Sequence, residues 1–117
     1  MQDDKEQADV AARFLRESEL VAVSIPCLCE LIWVLERVYR LPASRIMEAV
    51  RLLLASANVA VDRPAAEAGM SLFARGGDFA DGVIAFEGQR LGGAVFLSFD
   101  RKAVALLAHD GQLAQLL

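Results

Sequence analysis

The stretch Gly76-Gly77-Asp78-Phe79-Ala80-Asp81-Gly82-Val83-Ile84-Ala85 decides how this chain is read. Two glycines stop one helix, and Asp78 then has the side chain of an N-cap for the next. Asp81 falls at the third helical position, where a carboxylate meets the positive end of the helix dipole. Gly92-Gly93 closes that helix, and Val95-Phe96-Leu97-Ser98-Phe99-Asp100 follows as an apolar strand with an acid at its carboxyl end. Acids therefore stand at a helix start and at the end of the next strand.

Upstream, the same alternation repeats. Residues 3–17 are charged, alanine-rich and helical in pattern, with Val10, Phe14 and Leu15 as the apolar side. Residues 20–23 form a short apolar strand. Pro26 suits the first turn of a helix over residues 27–39, which carries Glu30 in otherwise apolar surroundings. Pro42 opens a third helix, through about residue 55. Residues 59–61 predict a second strand, and Asp62 with Pro64 predicts a helix running to the glycine pair. Downstream, residues 101–108 predict a short helix and residues 113–117 a last edge strand. Strands alternating with helices predict an α/β fold with a mainly parallel sheet. In such sheets, ligands collect beyond the carboxyl ends of the strands. Glu30, Asp81 and Asp100 are thus expected to share one cleft.

The bulk numbers set the frame. At 117 residues the chain is expected to form one domain spanning residues 1–117, and 56% hydrophobic residues exclude general disorder. The longest apolar run, residues 20–35, is interrupted by Pro26 and Glu30 and is too short to span a membrane. The first five residues, Met1-Gln2-Asp3-Asp4-Lys5, do not read as a secretory signal, so a cytoplasmic protein is expected. A net charge of −4 argues against binding a nucleic-acid backbone through bulk charge alone. An acidic pocket can still meet phosphate through a bridging cation. Cys27 and Cys29, one residue apart, suit neither a zinc pair nor an easy disulfide and are expected as two buried thiols.

Three fragments taken in order resemble the PIN-domain ribonucleases, and specifically the VapC-type toxins of toxin–antitoxin pairs. They are Ile25-Pro26-Cys27-Leu28-Cys29-Glu30-Leu31 with Trp33-Val34-Leu35, then Asp78-Phe79-Ala80-Asp81-Gly82-Val83-Ile84-Ala85, then Leu97-Ser98-Phe99-Asp100-Arg101. The resemblance implies a PIN-like three-layer sandwich, with helices on both faces of the sheet. It implies a magnesium- or manganese-dependent endoribonuclease that hydrolyses RNA phosphodiester bonds. It also implies a homodimer and a cognate antitoxin that occupies the cleft. Glu30, Asp81 and Asp100 match three of the family's clustered catalytic, metal-holding acids. Asp78 matches a supporting acid, and Ser98 the small hydroxyl residue before the last acid.

The family's first strand, which ends in a metal-ligating Asp, has no counterpart here, so the expectation is a PIN-like fold with the first strand missing. Met1 then matches an internal apolar position of longer relatives, through a start assigned too far downstream or through gene decay. Asp3 and Asp4 match acids that follow that strand and are expected to face solvent at a helix start. Loss of a central strand leaves two neighbours with unpaired edges, which predicts a tight oligomer. The alternative to an active nuclease is a catalytically silent PIN-like module that acts in dimerisation or antitoxin binding. A phosphatase or receiver-type domain is disfavoured because no Asp-x-Asp follows an N-terminal strand.

Remaining residues take simpler readings. Arg75, Arg101 and Lys102 flank the acidic motifs as candidate RNA contacts, though solvated surface charge is the plainer role. His109, beside Asp110-Gly111, is expected in an exposed turn, and Trp33 and Phe96 in the core. Gly76-Gly77 is a helix stop rather than a phosphate loop, because no Lys-Ser/Thr follows.

Overall fold

The computed structural model describes residues 4–117. Six helices and four short strands alternate along them. They are α1 (Asp4–Glu17), β1 (Val21–Ala22), α2 (Ile25–Arg37), α3 (Ala43–Ala55), β2 (Val59–Ala60), α4 (Arg63–Ala74), α5 (Phe79–Arg90), β3 (Phe96–Ser98), α6 (Arg101–His109) and β4 (Ala114–Leu116). The order matches the sequence reading element by element, with strands shortened to two or three residues. Asp3, and the side chain of Asp4, lie outside what is described.

Local chemistry sets the helix starts. The Ser24 hydroxyl accepts from the Cys27 amide at 3.2 Å and caps α2, with Pro26 in its first turn. Asp62 does the same for α4 by accepting from the Ala65 amide at 3.3 Å. Arg90, at the far end of α5, reaches back and donates to both Asp62 oxygens, at 2.9 and 3.1 Å. That fork closes α4 and α5 into an antiparallel pair and holds the Asp62 carboxyl below its usual pKa.

The α4–α5 pair is the tight joint of the molecule. A Cβ on Gly82 would lie 2.6 Å from the Ala68 carbonyl oxygen and 2.9 Å from the Gly69 Cα. A Cβ on Gly69 would lie 2.6 Å from the ring of Phe79, which is only 1% exposed. Two glycines facing one another thus let the helix backbones touch. Around Phe79 sits the main core, with Leu28 and Ile32 from α2, Ile46 and Val50 from α3, and Ala66 from α4. A smaller core of Leu72, Ala85 and Leu107 supports β3 and α6, and half-buried Phe96 packs on it.

The strands form two parallel pairs. Val21 and Ala22 of β1 register with Val59 and Ala60 of β2. Phe96, Leu97 and Ser98 of β3 register with Ala114, Gln115 and Leu116 of β4. Among the described residues these are two separate sheets, not the one sheet expected. In each pair the ladder runs along one edge only. The amide of Val21 donates to Asn58 just before β2, that of Val23 to Ala60 of β2, and that of Phe96 to Leu113 just before β4.

Helix α1 stands apart. Lys5 to Arg16 are exposed except half-buried Leu15, and Phe14 is 62% exposed. Its C-terminal end is tied down by Asn58, whose side-chain amide donates to the Leu15 and Ser18 carbonyls at 2.5 and 2.9 Å. The radius of gyration, 15.8 Å, exceeds the roughly 13 Å of a compact domain of this size. Two expectations about the core are corrected. Trp33 is 55% exposed because its helix buries the opposite side, through Leu28 and Ile32. The thiols are not both buried: Cys27 is exposed and Cys29 half-buried.

Gly82→Ala should force α4 and α5 apart. The expected loss is about 1–3 kcal/mol of stability in a denaturant titration, the usual range for overpacking. An unchanged midpoint would mean that the two helices separate without cost.

Candidate acidic site

The glycine pair delivers the first acid. The Gly76 amide donates to the Phe73 carbonyl and the Gly77 amide to the Leu72 carbonyl, both at 3.0 Å, which ends α4. Gly76 has φ of +88°, a conformation that L side chains rarely adopt. At Gly77 a Cβ would sit 2.7 Å from Leu72 Cγ. The chain then turns into Asp78, which caps α5 by accepting from the Ala80 amide at 3.2 Å. Buried Phe79 anchors this corner, and Asp81 follows within the first turn.

Asp100 is fixed in the same manner at the other corner. One of its oxygens accepts from the Lys102 and Ala103 amides at 2.9 and 3.1 Å and caps α6. Its own amide donates to the Ser98 hydroxyl at 3.0 Å. Ser98 therefore shapes the turn that presents Asp100. Each capping acid spends one oxygen, Oδ1, on backbone amides, which leaves Oδ2 for another ligand.

The electrostatics show which acids act on one another. Burial is the largest influence raising the Asp81 carboxyl above its ordinary pKa, followed by the charges of Asp78 and Asp100. Cys29 is likewise raised, first by burial and then by Asp78. Asp81 thus feels the charges of both capping acids, and Cys29 of α2 feels that of Asp78. Glu30 is exposed on α2 and lines a 410 Å³ recess together with Cys29, Trp33, Glu36 and Asp78. No ion pair neutralises Glu30, Asp78, Asp81 or Asp100 among the described residues.

The acids are gathered but do not form a ready ligand shell. Among the described residues no three His, Cys, Asp or Glu side chains come close enough to hold one ion. The donor chemistry still fits a hard divalent cation. Mg²⁺ uses one or two protein carboxylates and keeps several waters. Oxygen donors, mutual repulsion and no counter-charge are the conditions that favour such an ion.

The flanking bases separate into two groups. Arg75 donates to the Asp110 carboxylate and lies 3.4 Å from the His109 ring, so its guanidinium joins the ends of α4 and α6. Arg101 and Lys102 are exposed beside Asp100 without an ion-pair partner among the described residues. Two residues were not read from the sequence as part of this region: Trp33, expected in the core, and Glu36. Successive steps of three, from Glu30 to Trp33 and from Trp33 to Glu36, are the signal that brings them towards one helix side.

The PIN domain family model matches residues 1–108 of the chain. No curated protein and no solved structure matches the chain.

Asp81 generates a pH signature. Its folded pKa is raised, so its contribution to stability is present below the unfolded value of 3.8 and is lost as pH rises through the higher folded value. Asp81→Asn should therefore melt at a higher temperature than wild type at neutral pH. The gap should close near about pH 3. Melting curves with the same gap at both pH values would remove burial and charge repulsion as its cause.

Proposed function

We propose that this chain, which belongs to the PIN domain family, is a metal-dependent endoribonuclease of the VapC toxin type. The family carries nuclease-type function, and its members are generally divalent-metal-dependent. The observation that carries the finer reading is that the charges of Asp78 and Asp100 both act on the half-buried Asp81 carboxyl, and none of the three has an ion-pair partner among the described residues.

Each residue takes a role that its placement supports. Asp81, on the buried joint, and Asp100, fixed by two amides and Ser98, hold Mg²⁺ or Mn²⁺. Glu30, across the recess, contributes a further oxygen or orients the attacking water. Asp78 adds negative charge and fixes the corner. A divalent ion supplies the means to lower the pKa of water and offset charge building on the scissile phosphate. Arg101 and Lys102, at the start of α6, face the strand of RNA that crosses Asp100. Arg75 is held by Asp110 and acts on RNA only if that ion pair opens.

The architecture enters the same proposal. Among the described residues β1 pairs only with β2, and β3 only with β4, so one more strand between β1 and β3 would join the two pairs into a single sheet. Such a strand, supplied by another chain, would bring the further acid that the family resemblance expects. Homodimerisation and an antitoxin partner in the cytoplasm complete the VapC-type reading. No described helix is long and apolar enough to cross a membrane.

One observation favours a second reading, a catalytically silent module that keeps its dimer and antitoxin surfaces. It is the absence of any three-ligand cluster among the described residues.

Incubation of a mixed RNA pool with the protein in Mg²⁺ or Mn²⁺ separates the two. Cleavage should vanish with chelator, and Asp81→Asn should reduce it on the order of 100-fold or more. Folded wild-type protein that leaves the RNA intact would overturn the nuclease reading in favour of the silent module. Undiminished cleavage by folded Asp81→Asn would relocate the site.

A further inference from the structure

The chain has one tryptophan, and it lies beside the acids. Trp33 is 55% exposed on α2. It stands three residues after Glu30, on the same helix side, and both line the recess whose far wall is Asp78, Phe79 and Ala80. Its indole N–H donates to no group among the described residues. Other aromatic rings are exposed, Phe14 at 62% and Phe99 at 81%, but neither lines this recess.

An exposed indole inside an acidic recess has a restricted choice of ligand. Glu30, Glu36 and Asp78 repel a phosphate that lacks a cation. Base stacking is far less constrained, because it depends on flat π-faces and not on net charge. A recess of 410 Å³ is large enough for a single base. The stacking face accepts only an unpaired base, since both faces of a base within a duplex are covered.

We infer that Trp33 is a base-stacking subsite: one unpaired RNA base lies on its indole face, next to the phosphate that the acids address. The inference rests on the nuclease reading and adds a specificity-determining residue to it. Trp33 thereby selects single-stranded segments and sets the register of the strand relative to Asp81 and Asp100.

Because Trp33 is the sole tryptophan, the intrinsic emission of the protein reports on it directly. Titration with a single-stranded RNA dodecamer, with Ca²⁺ in place of Mg²⁺ to slow cleavage, should quench that emission saturably. The same sequence as a duplex should not. In anisotropy measurements with labelled RNA, Trp33→Ala should bind about 5- to 150-fold more weakly, and Trp33→Phe should recover most of the loss. Circular dichroism establishes that both variants fold.

RNA bound at full strength by folded Trp33→Ala, or bound by wild type without quenching, overturns the inference alone. So does emission that changes with protein concentration in the absence of RNA, which would mean that a second copy covers the ring. Wild-type protein that neither binds nor cleaves RNA overturns the inference together with the nuclease reading.

Discussion

The close approach of α4 and α5 is the constraint on which the rest of this molecule depends. Gly69 and Gly82 let the two backbones touch, and Phe79 fills the corner where the chain reverses. Any side chain at either glycine meets backbone or a buried ring. The consequence reaches beyond packing, because the first turn of α5 carries Asp78 and Asp81. A joint that cannot slide holds both carboxyls at a fixed place relative to the core. The Arg90–Asp62 fork at the other end keeps the pair closed.

On that frame the acids are set against one another. Two are helix caps, so each has a structural duty and a spare oxygen. Among the described residues Asp81 has neither a cap to serve nor an ion-pair partner, and it bears the effects of burial and of both neighbours. Keeping such a group costs stability, which is the ordinary condition of sites built to bind charge. The gathered acids are one step short of a ligand shell, with Glu30 across a recess rather than in contact. Mg²⁺, which keeps several of its waters, needs only one or two protein carboxylates.

The sheet is the least finished part. Two parallel pairs of two- and three-residue strands offer few ladder bonds, and a two-stranded sheet is marginal by itself. Stability therefore comes from the helices, through the cores around Phe79 and Leu72. Helix α1 shares little of this. A helix of 14 residues is marginal alone, and the two carbonyl contacts from Asn58 hold only its end. Its exposed Val10 and Phe14 have the character of a surface awaiting cover.

The order of elements was legible because caps, prolines and glycine pairs act over a few residues. Pro26, Asp62 and Asp78 each stand at the start of the helix that their chemistry predicts, and Gly76-Gly77 ends one. The positions of Asp78, Asp81 and Asp100 at helix starts and a strand end were legible too, because caps and strand ends are local. What the sequence could not decide depends on contacts between distant segments. It did not determine that the strands would stay in two pairs, because ladder bonds require a neighbour that periodicity does not name. Nor did it determine which side of α2 faces the core. Leu28 and Ile32 took that side, and only the packing of α3 and α5 against them turned Trp33 outward beside the acids. Whether Arg75 is free was likewise settled across 35 residues of chain, by Asp110. Local chemistry wrote the elements, and the burial of one side of each helix against the others decided what the remaining side chains face.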